Sequence, residues 1–353
     1  MIMTANEGFI LSLSLLMAGM VYWAFKRLPD ERWQFLASVP VMKDASGRWH
    51  GLNFTYYGLL TANAVVFGVT ILIILFGTLG IPTTVTLGLI VAVLMVCLPA
   101  ARWVAQLVEG KQCTFTIAGA FFVGIFIAPA VIGVLNTLLP RGGLPAVPIM
   151  PALAALMVAY AFGEGLGRLA CISFGCCYGV SLRDAAPLLR RIFLKRHFVF
   201  WGQMKKISYA SGMEGHEVIP VQALTSIVDI VTGLAATSLF LRGEFAIVFV
   251  ATMIITQGWR LISEMLRADC RGQGKISAYQ IMSLLAIGCA AALAYFAPVS
   301  APLVPNLAAG IERVWHPAVV ISLQALWVIV FMMFGKSMVT GAEISFHLHH
   351  DRI

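Results

Sequence analysis

Arg168 is the first residue of this chain whose type and place suggest chemistry. It closes the stretch Gly163-Glu164-Gly165-Leu166-Gly167-Arg168, near the end of a long apolar run. A charge at helix-centre depth in a bilayer costs about 2.5–3.5 kcal/mol on insertion scales, so it is usually paired or functional. Glu164 stands four residues earlier on the same helical face and is a structural partner for it. The functional reading is an anion, most naturally a lipid phosphate, gripped by the planar guanidinium through two hydrogen bonds. The flanking glycines, Gly167 among them, allow a ligand or a neighbouring helix to come close.

Gly175-Cys176-Cys177-Tyr178-Gly179 follows directly. Vicinal cysteines need further ligands to hold zinc, and no CxxC partner or suitably spaced histidine occurs. A thiol nucleophile needs a base or a cationic neighbour, which Arg168 or the basic loop beyond would supply. The plainer alternative is a glycine-bounded turn with small buried thiols. Cys97, Cys113 and Cys289 lie in or at the ends of apolar runs and read as buried packing residues. Downstream, Arg260, Glu264, Arg267, Asp269 and Arg271 come in close succession. Glu264 and Arg267 are three apart, hence neighbours on a helix. These charges suit either a structural network or, beside Arg168, a phosphoanion site. The terminal His347-Leu348-His349-His350 reads as a polar tail rather than a metal site.

The elements that must position these residues are membrane helices. The chain has 353 residues, 60% of them hydrophobic and 11% charged, with mean hydropathy +0.89. A soluble domain carries roughly 25% charge, and about 20 apolar residues cross a bilayer as a helix. Nine spans are predicted, at 7–25, 54–77, 82–100, 113–138, 148–174, 219–241, 244–263, 277–297 and 317–335, which makes an all-α polytopic membrane protein. The first run ends at Lys26-Arg27 without a small-residue cleavage site and reads as an anchor. The net charge of +8 therefore points to lipid headgroups and cytoplasmic loops, not to nucleic acid.

Basic residues are unevenly spread. Loops 26–53, 101–112, 175–218 and 260–276 and the C-terminal tail hold all of them except Arg141, Arg168, Arg242 and Arg313. With nine spans, these basic regions share one face. The positive-inside rule then gives an outside N-terminus and a cytoplasmic C-terminus. The polar and Gly-rich signals cluster at that same face. Within 180–218, basic pairs interleave with apolar and aromatic residues, which predicts an amphipathic arm on the membrane surface.

Together these pieces resemble the bacterial prolipoprotein diacylglyceryl transferase family, in a divergent branch carrying Gly-Cys-Cys-Tyr-Gly. Gly167 to Gly179 looks like its Gly-Arg signature, and Pro220-Val221-Gln222-Ala223-Leu224 looks like its Pro-x-Gln-Leu element. Glu264 to Gly272, with Ser277-Ala278-Tyr279-Gln280, is similar to its Glu-Phe-x-Arg block and following Ser-x-x-Gln. Phe115 to Ala120 looks like its earlier Gly-Gly helix. The resemblance covers residues 113–297 and implies a transferase core there. Residues 1–112 would be N-terminal helices, and 298–353 an extra helix and tail.

The resemblance implies phosphatidylglycerol as donor, a prolipoprotein cysteine thiol as acceptor, and the bacterial inner membrane as location. Arg168, Arg267 and Glu264 would be catalytic, the arginines holding the departing glycerol phosphate. Gly167, Gly175, Cys176, Tyr178, Gly179, Gln222, Arg260, Asp269, Arg271 and Gln280 would line the substrate. No metal or organic cofactor is expected. Three departures stand out. The family's histidine aligns with Ala118, its signature Asn and Glu align with Cys171 and Cys176, and its pattern has seven spans rather than nine. The family's signature face is also periplasmic, whereas the charge bias places it in the cytoplasm. The alternatives are a transferase with a different acceptor, a transporter or lipid-translocating protein, and an inactive relative serving as a partner.

Overall fold

The computed structural model describes residues 4–109, 116–269, 276–297 and 303–353. Cys113, Phe115 and Arg271 lie outside the described residues. The helices are α1 (Ala5–Arg27), α2 (Tyr56–Thr78), α3 (Thr83–Glu109), α4 (Ile117–Leu138), α5 (Ile149–Phe174), α6 (Pro187–Phe193), α7 (Lys206–Ser211), α8 (Val221–Phe240), α9 (Phe245–Met265), α10 (Ala278–Phe296), α11 (Leu307–Val314) and α12 (Pro317–Phe334). Among the described residues nine helices are long and apolar enough to cross a membrane, and all nine coincide with the predicted spans. The protein is an all-α polytopic membrane protein.

Local chemistry sets the helix ends. At α1, Thr4 Oγ1 accepts from the Glu7 amide (3.3 Å) and Glu7 accepts from the Thr4 amide (2.8 Å), a reciprocal cap of two otherwise unpaired donors. Pro99 and Pro129 sit inside α3 and α4, which packed membrane helices tolerate. The central helix is α5, 72% buried over its most apolar window, against 11% for the peripheral α12. Helices α2, α8 and α9 pack around α5. Lipid tails are as apolar as leucine, so close backbone approach replaces the hydrophobic effect as the packing force. Gly58 on α2 shows this: a Cβ there would lie 2.1 Å from the Gly335 Cα at the end of α12.

Two small sheets were not expected from the sequence. Strands β1 (Phe35–Lys43), β2 (Trp49–Thr55) and β5 (Lys336–Ile344) form one, in the order β1-β2-β5, antiparallel throughout. Strands β3 (Phe198–Val199) and β4 (Glu217–Val218) form the other. The first sheet joins the entry to α2 with the exit from α12, so both ends lie on one face. The basic arm docks on that face too. The Trp201 amide donates to Pro29 O (3.2 Å), and Gln34 Nε2 donates to Met204 O (2.6 Å).

The arm is more embedded than an amphipathic surface segment. Helix α6 leaves Leu188 and Ile192 exposed, but Phe198, Phe200, Ile207 and Val218 join the main core. Its anchor is Lys205, which is fully buried and donates from Nζ to Ser173 O (2.6 Å) and Leu28 O (3.1 Å). Burial pushes this amine down to about 7.

Candidate active site

The C-terminal end of α5 builds the centre of the site. Gly175 adopts φ 71° and ψ 32°, a left-handed conformation that costs a glycine little. The Cys176 amide then donates to Cys171 O (3.1 Å) and the Gly175 amide to Ile172 O (3.2 Å). This pair of bonds is the Schellman closure of a helix. It folds the chain back so that Cys176 lies over Cys171. Cys177 follows at φ 58°, the one non-glycine positive φ among the described residues. Such a conformation is uncommon outside glycine, and it turns the third thiol toward the other two. The sulfurs of Cys171, Cys176 and Cys177 all lie within 4.8 Å of one another, with Cys176 and Cys177 3.9 Å apart. Hydrogen bonds from Cys171 and Cys176, then the Arg267 and Arg168 guanidinium groups, hold the Cys177 thiol well below its ordinary range despite burial.

Helices α5 and α9 supply the charged layer. Glu164 has almost no exposed side chain and pairs with both Arg168 and Arg260, at 2.7 Å to Arg260. Tyr160 Oη accepts from Arg260 Nη2 at 3.1 Å. Both sequence alternatives for Arg168 therefore bear on the structure. It is paired with Glu164, yet two guanidinium groups share that one carboxylate. Just past α9, Arg267 makes two hydrogen bonds to Asp269 (2.7 and 2.6 Å) and lies 3.5 Å from Glu264. Arg267 and Gly179 pair as an antiparallel bridge, which ties the α9 exit to the cysteine turn.

These groups border a cavity of about 510 Å³. Arg168, Lys206, Arg260, Arg267 and Lys336 line it, against the carboxylates Glu264 and Asp269. Phe174, Met333, Phe334 and Met338 supply apolar wall. Ala118 and the three cysteines also face it. A tighter polar pocket of about 10 Å³, scarcely room for one water, lies behind Arg168 and Arg260 and reaches Asp229.

Among the residues expected at the site, Arg168, Arg260, Arg267, Glu264, Asp269, Cys176 and Tyr178 line the main cavity. Gln222 lines the tight pocket and donates to Cys176 O at 2.7 Å, bracing the turn. Gly175, at positive φ, and Gly179, where a Cβ would lie 2.4 Å from Ile219 O, shape the backbone, whereas Gly167 lies within α5 with no neighbour in reach of a Cβ, so the close approach expected there is not made; none of the three lines the cavity. Gln280 is placed elsewhere: it caps α10 with Ser277 and donates to Leu261 O (3.2 Å). Arg271 lies outside the described residues.

Sequence reasoning missed Asp229, Lys205 and Lys206. Asp229 is buried on α8, and its Oδ1 has no hydrogen-bond partner among the described residues. An acid inside an apolar span was a legible signal. Lys205 and Lys206 looked like any basic pair in a loop, and only the docked arm distinguishes them.

A search of curated proteins returned no match. The sequence profile of the family described as prolipoprotein diacylglyceryl transferase matches residues 48–296. That match covers well over half of the chain and includes α2 and α3, which the motif resemblance left out. The chain belongs to the prolipoprotein diacylglyceryl transferase family.

Proposed function

We propose that the chain transfers a diacylglyceryl group from phosphatidylglycerol to a cysteine thiol of a prolipoprotein at the bacterial inner membrane. The carrying observation is the cavity at the end of the central helix, whose lining combines Arg168, Lys206, Arg260, Arg267 and Lys336 with apolar side chains and only two carboxylates, Glu264 and Asp269. A phospholipid headgroup has the matching chemistry: one phosphate charge beside two acyl chains. Arg168 and Arg260 share Glu164, so this pair carries more positive charge than that carboxylate offsets. Arg267 lines the same cavity, held by two bonds to Asp269 and by Glu264 at 3.5 Å.

Pre-placed cations act where charge develops, here on the departing glycerol phosphate. The acceptor sulfur attacks the glyceryl carbon, the carbon–oxygen bond breaks, and the electron pair leaves with the phosphate oxygen. Glu264 positions Arg267 in this reading, and Asp269 fixes its plane. Ala118 cannot act as a base, so the acceptor thiol must lose its proton by another route.

Purified protein is incubated with labelled phosphatidylglycerol and a lipobox cysteine peptide, and lipidated peptide and glycerol phosphate are followed separately. Wild type is expected to form both, with Arg168→Ala and Arg267→Ala each slower by roughly 10²–10³-fold. Glycerol phosphate without lipidated peptide would keep the donor and reject the thiol peptide as acceptor. Neither product from folded protein would reject the transferase reading.

A further inference from the structure

We propose that Cys171, Cys176 and Cys177 form a three-sulfur zinc site whose fourth position, open to the cavity, takes the acceptor thiol. This deepens the transferase reading and rests on it for the identity of that thiol. It also departs from the sequence expectation of no metal, which considered only the vicinal pair and lacked a third ligand. The third ligand is Cys171, brought in by the Schellman closure at Gly175.

The geometry supports this. Zinc–sulfur bonds of about 2.3 Å at tetrahedral angles place ligand sulfurs about 3.8 Å apart. Cys176 and Cys177 are already at 3.9 Å, and all three sulfurs fall within 4.8 Å. Cysteine, histidine and carboxylate groups offer no fourth ligand to this cluster among the described residues. Three protein ligands with one open position is the arrangement of catalytic rather than structural zinc. Each of the three cysteines lines the cavity, so the open position faces the space where donor and acceptor must meet. The ligands stand on the end of a rigid central helix and on a turn braced by Gln222 and by the Gly179–Arg267 bridge.

Charge agrees with geometry. Zinc with three thiolates carries one negative charge, and a fourth thiolate makes two. The cavity lining holds five cations (Arg168, Lys206, Arg260, Arg267 and Lys336) against the two carboxylates Glu264 and Asp269, an excess that offsets that charge. A metal also meets the need left by Ala118, because a coordinated thiol is deprotonated outright. The acceptor R–SH displaces water from zinc and loses its proton to solvent. Its sulfur, keeping its electron pair, attacks the glyceryl carbon. The carbon–oxygen bond breaks, its pair stays on the glycerol phosphate oxygen, and the neutral thioether product leaves zinc to water.

The test uses the full chain in lipid nanodiscs without phosphatidylglycerol, so it does not depend on transfer. Metal content is measured after purification. The protein is then stripped by chelation and titrated with cobalt(II), which reports sulfur ligation by charge-transfer absorption. Wild type, Cys97→Ser and Cys289→Ser are expected to hold about one zinc per chain. Cys171→Ser and Cys176→Ser are expected to lose at least tenfold in occupancy. A lipobox cysteine peptide should alter the cobalt spectrum, whereas its serine counterpart should not.

Folded wild type that holds no zinc and gives no sulfur-to-cobalt band would overturn the site. So would copper(I) as the sole metal bound, or equal spectral effects of the two peptides. Should the serine variants fail to fold, the chelation and cobalt titration of wild type still decides. Metal and peptide binding here, with no lipidated peptide in the separate incubation with labelled phosphatidylglycerol, would uphold the site and reject the transferase reading.

Discussion

Glu164 shows how much one buried residue decides here. It answers two arginines from different helices, and its Oε2 has no hydrogen-bond partner among the described residues. Removing one partner of a buried ion pair leaves an uncompensated charge, at a cost of roughly 3–5 kcal/mol. Glu164→Gln is therefore expected to lower stability by about that amount, read as thermal unfolding in detergent, while Arg168→Lys preserves the charge and unfolds close to wild type. Lipidation separates the two roles. Arg168→Lys should still transfer, but more slowly, because an ammonium lacks the planar fork. Ala118→His tests the missing base at the same scale. In a Cys171→Ser background it is expected to restore part of the lipidation rate, since an imidazole at that cavity position takes the proton that a metal-bound thiol otherwise loses.

At the scale of elements, the arm and the α5 end depend on each other through Lys205. Its amine is depressed to about 7 by burial, against an ordinary value near 10.4 in an unfolded chain. Between these values the unfolded chain binds more protons than the folded one, so stability rises with pH across this window. Below about 7 both states are protonated and the dependence from this residue vanishes. Wild type is expected to gain thermal stability from pH 7 to 10 more steeply than Lys205→Met, in parallel melts on the same buffers. The α5 cap is the second joint. Gly175→Ala would put a Cβ 3.1 Å from the Lys205 Cβ on a positive-φ backbone. A loss of about 1–2 kcal/mol is expected, measured as a lowered melting temperature together with weaker cobalt binding.

At the scale of the molecule, the β1-β2-β5 sheet clasps the loop before α2 to the segment after α12. His50 and Glu343 face each other across β2 and β5. Opposed residues on an antiparallel pair lie about 4.5–5.5 Å apart at Cα, within disulfide reach. His50→Cys with Glu343→Cys in one chain should cross-link on mild oxidation, seen as a mobility shift that reductant reverses. Failure to cross-link would break the shared-face topology. The sequence by itself determined the membrane class, the nine spans and the basic face, because hydropathy and loop charge act locally along the chain. The cost of a charge inside an apolar span likewise marked Arg168 and Arg260, and a short motif marked Arg267 just past the end of α9. Other features were decided only in the folded chain. Cys171 joins Cys176 and Cys177 through the left-handed backbone at Gly175, and Gln280 turns to cap its own helix; both are local geometry, which residue types alone left open between a site and a structural role. Glu164 reaches Arg260 across a helix interface, and Lys205 is buried by a docking arm. These last two depend on which distant segments pack together, and helix packing without a hydrophobic driving force is set by backbone fit, which no local pattern of residues records.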